Sequence, residues 1–313
     1  MLLLTLLGGL ILLAVGGDVL VRGAVAIAQR LGVSPLLIGL TLVGFGTSTP
    51  ELVTSVQAAL AGSPGIAVGN VVGSNTANVL LILGVAAVIA PFAVHKESFA
   101  RDGAALLGSA VLLVIACLIG TVSAVGGLVF LAGLAAYLIF SIRSERGGQV
   151  AGEADAAPTE RRLGAPLAAL LVLAGIAATI LGARLLVSAA TEIARGVGVS
   201  EAMIGLTIVA VGTSLPELVT SVVAAVRRQS DIAFGNVVGS NVFNVLFIMG
   251  ATALIRPLAV PEQIARVDVW VMLAATVVLA AMAVTGWRIS RREGAALLGA
   301  YGAYLAWLAW SSF

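Results

Sequence analysis

The chain has 313 residues, 60% of them hydrophobic and only 10% charged, with a mean hydropathy of +1.13 and a formal net charge of +2. A soluble domain carries roughly 25% charged residues, so this much apolar surface excludes a water-soluble globule and calls for lipid as the solvent. A single cysteine, Cys117, and a single histidine, His95, exclude an internal disulfide, a thiolate metal cluster and any site built from several imidazoles.

In chain order, apolar stretches fall near 2–28, 35–60, 67–90, 102–120 and 122–142, then near 164–194, 201–226, 233–255, 267–286 and 293–311. Each approaches or exceeds the roughly 20 residues that a membrane-crossing helix needs. The first lacks a basic n-region and a small-residue cleavage site, so it reads as a membrane helix rather than a cleaved signal peptide. The expected fold class is an all-α membrane protein of about ten transmembrane helices. Between the fifth and sixth spans, SERGGQVAGEADAAPTERRLG is polar, mixed in charge and without an apolar face, which predicts a flexible aqueous linker over 143–163. With the amino terminus outside, twelve basic loop residues fall on the cytoplasmic side, Arg30, Lys96, Arg143 and Arg227 among them. Only Arg195, Arg256 and Arg266 fall on the other. The positive-inside rule then places both termini outside and the linker in the cytoplasm of a plasma (cell inner) membrane.

Isolated polar residues have structural readings. Asp18 and Arg22 are four apart in the first span and predict an ion pair, with Arg184 at the position equivalent to Asp18 in the second half. His95 reads as a solvated loop residue, and Asp102 and Asp268 as helix-start caps. Trp270, Trp287, Trp307 and Trp310 read as interfacial anchors.

Self-comparison is more informative. Ser34–Val94 aligns without gaps on Ser200–Val260 at a constant offset of 166, and 37 of the 61 positions are identical. IGLTLVGFGTSTPELVTS is matched by IGLTIVAVGTSLPELVTS, and IAVGNVVGSNTANVL by IAFGNVVGSNVFNVL. Residues 1–142 and 164–313 therefore read as two repeats. Five spans in each make the copies run in opposite senses, the inverted repeat of secondary transporters, with a site at the midplane on interrupted helices.

Pro50 and Pro216 each remove an amide donor inside an apolar span, which breaks the helix just before Glu51 and Glu217. Gly46 and Gly212 loosen the same point, and the hydroxyls of Thr47, Ser48, Thr213 and Ser214 cluster one turn before the carboxylates. In the second motif Ser74 and Asn78, like Ser240 and Asn244, are four apart and share a helix face, with Asn75 and Asn241 beside them. Gly69, Gly73, Gly235 and Gly239 form small-xxx-small patterns for close helix packing. Carboxylates, hydroxyls and freed carbonyls are hard oxygen ligands of the kind that hold Ca²⁺ and Na⁺. Two carboxylates together in a low dielectric repel each other unless a cation or a proton lies between them.

At these residues the sequence resembles the sodium/calcium exchanger family of the cation/calcium antiporter superfamily, prokaryotic type. The G-T-S-x-P-E-L and G-N-x-x-G-S-N segments are similar to its two repeats, over nearly the whole chain. The resemblance implies an antiporter rather than an enzyme, exchanging Na⁺ for Ca²⁺ by alternating access as the first and sixth helices slide across the other eight. It implies Ca²⁺ ligation by Glu51 and Glu217 with carbonyls of Thr47 and Thr213. Ser48, Ser214, Ser74 and Ser240 would help to hold Na⁺, Asn78 and Asn244 would complete the site, and carbonyls of Gly44 and Ala210 would serve outer Na⁺ positions. Asn244 stands where the potassium-dependent branch carries Asp, and Gly73 and Gly239 stand where the proton-coupled branch carries an acid. Sodium coupling is therefore expected over a Ca²⁺/H⁺ antiporter on the same scaffold. An intramembrane hydrolase with a two-acid dyad leaves the duplicated Ser, Thr and Asn unexplained, and a passive channel does not suit so tight a carboxylate pair. The ions and the bilayer are the only partners called for: no cofactor, no nucleic acid and no obligate protein partner.

Overall fold

The computed structural model describes residues 2–147, 163–196 and 210–311. Its first six helices are α1 Leu2–Leu31, α2 Pro35–Thr47, α3 Thr49–Leu60, α4 Pro64–Ile89, α5 Lys96–Ile119 and α6 Ala124–Gly147. The next six are α7 Ala165–Gly196, α8 Ala210–Thr213, α9 Leu215–Val226, α10 Ser230–Ile255, α11 Ile264–Gly286 and α12 Arg291–Ser311. Each helix of the second set is the mate of the one six places earlier. The predicted linker falls mostly on 148–162 and the start of the seventh span on 197–209, and both lie outside the described residues.

Among the described residues seven helices are long and apolar enough to cross a bilayer, or eight with α2 and α3 taken as one bent span. The ten expected spans exceed this number for two reasons. Of the segment equivalent to the bent span only residues 210–226 are described, and α12, though 21 residues long, is diluted by Gly, Tyr and Trp. The chain is a multi-pass, all-helical membrane protein.

The predicted helix break is present. α2 and α3 meet at 43°, with Ser48 at ψ 7° as the joint and its mate Ser214 also at ψ 7°. Pro50 and Pro216 are the second residues of α3 and α9. They lack the N–H that would bond the carbonyls of Gly46 and Gly212, so neither helix runs straight through. Glu51 and Glu217 consequently sit in the first turn of a new helix. Wider π turns begin at Asn78 in α4 and at its mate Asn244 in α10, a departure from α geometry frequent at functional sites.

Burial separates centre from periphery. In the most apolar stretch of α4 and α10, 72% and 78% of residues are buried, against 33% and 28% in α1 and α7. The outer pair pack on each other through main-chain contact: a Cβ on Gly175 would lie 2.6 Å from Leu20 N, and one on Gly182 2.7 Å from Leu13 N. Two antiparallel ladders stitch the copies together, β1 (Phe92–Ala93) with β4 (Arg288–Ile289) and β2 (Thr121–Val122) with β3 (Leu258–Ala259). Both are too short to leave a periodicity in the sequence.

Two polar readings are corrected. α5 starts at Lys96 and α11 at Ile264, so Asp102 and Asp268 stand inside their helices and cap nothing. Each turns instead to a tyrosine of the next helix: Tyr137 donates to Asp102 at 3.3 Å and Tyr304 to Asp268 at 2.9 Å. Arg101 adds a fork to Asp102, 2.7 Å from Nε and 2.9 Å from Nη2. Asp102→Ala strands this buried guanidinium and is expected to cost about 3–5 kcal/mol, read as a fall in melting temperature in detergent. Asp268→Ala, which leaves only a neutral hydroxyl behind, is expected to cost about 1–3 kcal/mol. His95, though exposed, lies 3.4 Å from Asp231. Asp18 pairs with Arg22 at 2.9 Å as expected, and also with Arg227 at the end of α9, which the sequence did not signal.

Candidate functional site

The two helix breaks face each other, and their contacts are crosswise. Ser48 Oγ donates to Glu217 Oε1 at 3.1 Å, and Ser214 Oγ donates to Glu51 Oε1 at 3.3 Å. Each serine of one copy thus holds the carboxylate of the other. Both glutamates are 1% exposed, so the two acids are held together away from bulk solvent. The second oxygen of each, Oε2, is buried without a hydrogen-bond partner. Buried polar oxygens are rarely left so, and each such atom asks for an explanation.

The asparagines of the second motif share this feature. Oδ1 of Asn78, Asn241 and Asn244 are likewise buried and unpartnered. Asn244 Nδ2 donates to Asn75 Oδ1 at 3.0 Å, and Asn75 Nδ2 donates across to the Asn241 carbonyl at 3.2 Å. Five buried acceptor oxygens, two of them carboxylate, therefore face no donor. Such a donor set fits a hard cation that supplies the missing positive charge. Among the described residues no group of three His, Cys, Asp or Glu occurs, so no third acid is present to hold a metal by charge alone.

Most of the residues singled out from sequence are buried on the helices that carry this pair. Thr47, Ser48, Ser74 and Asn78 are buried on α2–α4, and Ser214, Ser240 and Asn244 on α8–α10. Thr213 is half-buried, and Ala210 is the first described residue of α8. The Gly44 carbonyl accepts from Ser48 N at 3.1 Å and from Ser240 Oγ at 3.4 Å. α10 lies main chain to main chain on α2, with Gly235 and Gly239 at the contact. Gly69 instead meets only the side chain of Ile264.

The sequence reading passed over four residues. Asn70 Nδ2 donates to the Glu51 carbonyl at 3.0 Å and to Ser55 Oγ at 2.9 Å. Asn236 Nδ2 does the same to the Glu217 carbonyl at 3.2 Å and Ser221 Oγ at 2.9 Å. The available signal was the repeated Gly-Asn pair that opens each second motif.

Comparison with known proteins agrees with this architecture. A family profile described as sodium/calcium exchanger protein matches residues 1–143 and 167–310. The chain is 36% identical over 334 residues to the sodium/calcium exchanger MaX1 of Methanosarcina acetivorans, with 95% of each chain covered. It is 36% identical over 296 residues to the inner membrane protein YrbG of Escherichia coli, covering 92% of this chain and 90% of that one. A solved structure of the sodium-calcium exchanger NCX_Mj, soaked with Na⁺ and Sr²⁺, superposes with a TM-score of 0.85 at 32% identity, covering 98% and 99% of the two chains.

Proposed function

We propose, from the premise that the chain belongs to the sodium/calcium exchanger family and is an antiporter of that kind, that it exchanges Na⁺ for Ca²⁺ by alternating access and exports Ca²⁺. The observation that carries this reading is the crosswise pair of buried glutamates, each with one oxygen fixed by serine and one without a partner. Ca²⁺ binds between those free oxygens, with the main-chain carbonyls of Thr47 and Thr213 beside them. Na⁺ ions displace it by taking hydroxyls of Ser48, Ser214, Ser74 and Ser240, the amides of Asn78 and Asn244, and outer carbonyls at Gly44 and Ala210. With no third acid in the described set, the negative charge of the two carboxylates matches one Ca²⁺ or two Na⁺, which supports competition between the two ions.

Ten spans in two inverted halves, 1–142 and 164–313 around a cytoplasmic linker at 143–163, give the site two access paths related by a pseudo-two-fold axis in the membrane plane. The glycine-lined contact of α1 with α7 lets that pair move as a unit against the enclosed centre. The basic-residue bias puts both termini outside a cell inner membrane.

The test is ⁴⁵Ca²⁺ uptake into proteoliposomes loaded with Na⁺. An outward Na⁺ gradient is expected to drive initial uptake at least about tenfold faster than a Na⁺-free control. A proton gradient alone is expected to give nothing above that control. Uptake driven only by protons overturns sodium coupling and installs the Ca²⁺/H⁺ alternative.

A further inference from the structure

The geometry points to Asn236, with its mate Asn70, as a positioning residue for the two carboxylates, and to Asn236 as the clasp that ties the broken helix of the first copy to the glutamate of the second. This deepens the ion-binding reading of Glu51 and Glu217 and rests on it.

A primary amide has one acceptor oxygen and two donor hydrogens. Asn236 is 0% exposed, and its nitrogen lies 3.2 Å from the Glu217 carbonyl oxygen and 2.9 Å from Ser221 Oγ. A carbonyl oxygen only accepts, so the nitrogen must be the end that faces Glu217; the chemistry fixes the amide's orientation. Its Oδ1 then faces Thr47 Oγ1 at 3.2 Å. The amide oxygen has no proton to give, so the hydrogen in this contact comes from the Thr47 hydroxyl. That hydroxyl reaches Asn236 as one branch of a shared hydrogen bond, with the Val43 carbonyl at 3.1 Å and the Gly44 carbonyl at 3.4 Å as its other acceptors.

The consequence is positional. Thr47 is the last residue of α2 before the joint at Ser48, and Glu217 lies in the first turn of α9. One side chain on α10 thus holds the end of one broken helix and the start of the other, from opposite copies. Asn70 repeats the second half of the arrangement on Glu51 and Ser55. Carboxylates that must meet a cation need holding to within about 0.5 Å, and a glutamate in a first turn otherwise follows a frayed helix end.

Groups that orient metal ligands are worth about 10–100-fold in affinity. Asn236→Ala is accordingly expected to raise the half-saturating Ca²⁺ concentration for exchange about tenfold or more, with the maximal rate changed by less than about threefold. Half-buried Asn70, which water can replace, is expected to give a smaller rise in Asn70→Ala. Thr47→Val is expected to raise the same concentration, Thr47→Ser at least about threefold less, and Asn236→Ala with Thr47→Val together no more than the larger single effect. The positioning role is overturned by a lowered melting temperature with unchanged half-saturation, or by single effects that multiply in the double variant. If Asn236→Ala fails to fold, the Thr47→Val and Thr47→Ser pair decides, equal losses overturning the clasp. Ca²⁺- and Na⁺-induced rises in melting temperature of the purified chain separate the two levels. If the unmutated protein responds to neither ion, the ion-binding reading falls and the clasp with it. If it responds and Asn236→Ala responds at the same Ca²⁺ concentrations, only the clasp falls.

Discussion

Glu51→Gln and Glu217→Gln are each expected to reduce Na⁺-driven Ca²⁺ uptake at least about 100-fold, a loss of roughly 2.8 kcal/mol. The substitution keeps the shape and keeps an oxygen to accept from Ser214 or Ser48, so packing and the crosswise contacts survive. What disappears is one of two negative charges facing a divalent ion. At an effective dielectric constant near 20, a unit pair 4 Å apart is worth about 4 kcal/mol and a divalent partner doubles it. The electrostatic loss therefore exceeds the threshold even after much of it is returned by easier desolvation. Ser48→Ala removes one hydrogen bond to a carboxylate and is expected to cost about 1.5–3 kcal/mol, an order of magnitude less in rate than the glutamates at the lower end. The measurement is the initial rate of ⁴⁵Ca²⁺ uptake, normalised to reconstituted protein. A Glu51→Gln rate above a tenth of the unmutated value removes Glu51 from the site. Because the two halves are crosswise, both glutamate variants are expected to fail alike; a large difference between them means that one copy carries the ion alone.

How far the sequence went depended on the range of the cause. The breaks at Ser48 and Ser214 were legible because a missing proline N–H acts within one turn. The duplication was legible because identical residues at a fixed offset need no geometry to be seen. The crosswise serines were not, since which copy's carboxylate a serine reaches is set by how two breaks meet in space. Asp102 and Asp268 were misread for a local reason: the helices begin several residues earlier than the apolar stretch, so a residue at the start of the stretch is already inside the helix. Asn70 and Asn236 stood in the motif, but their partners lie 19 residues away on another helix. The unequal environments of mates were invisible too. Asn244 donates to Asn75, whereas both amide atoms of Asn78 lack partners, so near-identical sequence segments have unequal hydrogen-bond surroundings.

That asymmetric centre depends on how closely α2 and α10 approach, and Gly239 is where the approach is tightest. A Cβ there would lie 2.2 Å from the Leu40 carbonyl oxygen, 2.6 Å from its Cα and 2.7 Å from its carbonyl carbon. All three are main-chain atoms, so no side-chain rotation relieves the clash. Ordinary carbon contacts need about 3.5–4.0 Å, and α2 and α10 would have to part by about 1 Å or more. Ser240 and Asn236 sit on α10 beside Gly239, and their partners Gly44 and Thr47 sit on α2. The separation would therefore stretch both contacts and pull the two breaks apart. Gly239→Ala is expected to destabilise the protein by at least about 1–3 kcal/mol, the usual cost of overpacking. Whatever protein folds is expected to lose most of its Ca²⁺ uptake, because the geometry lost is that of the site. Gly299→Ala on α12, where nothing lies within 4 Å of the added carbon, supplies the contrast. It is expected to leave uptake intact and to keep or raise the melting temperature, since alanine also favours the helix by about 1 kcal/mol. Equal behaviour of the two variants in both assays would mean that α2 and α10 do not pack main chain to main chain, and the carboxylate pair would lose the scaffold that brings its halves together.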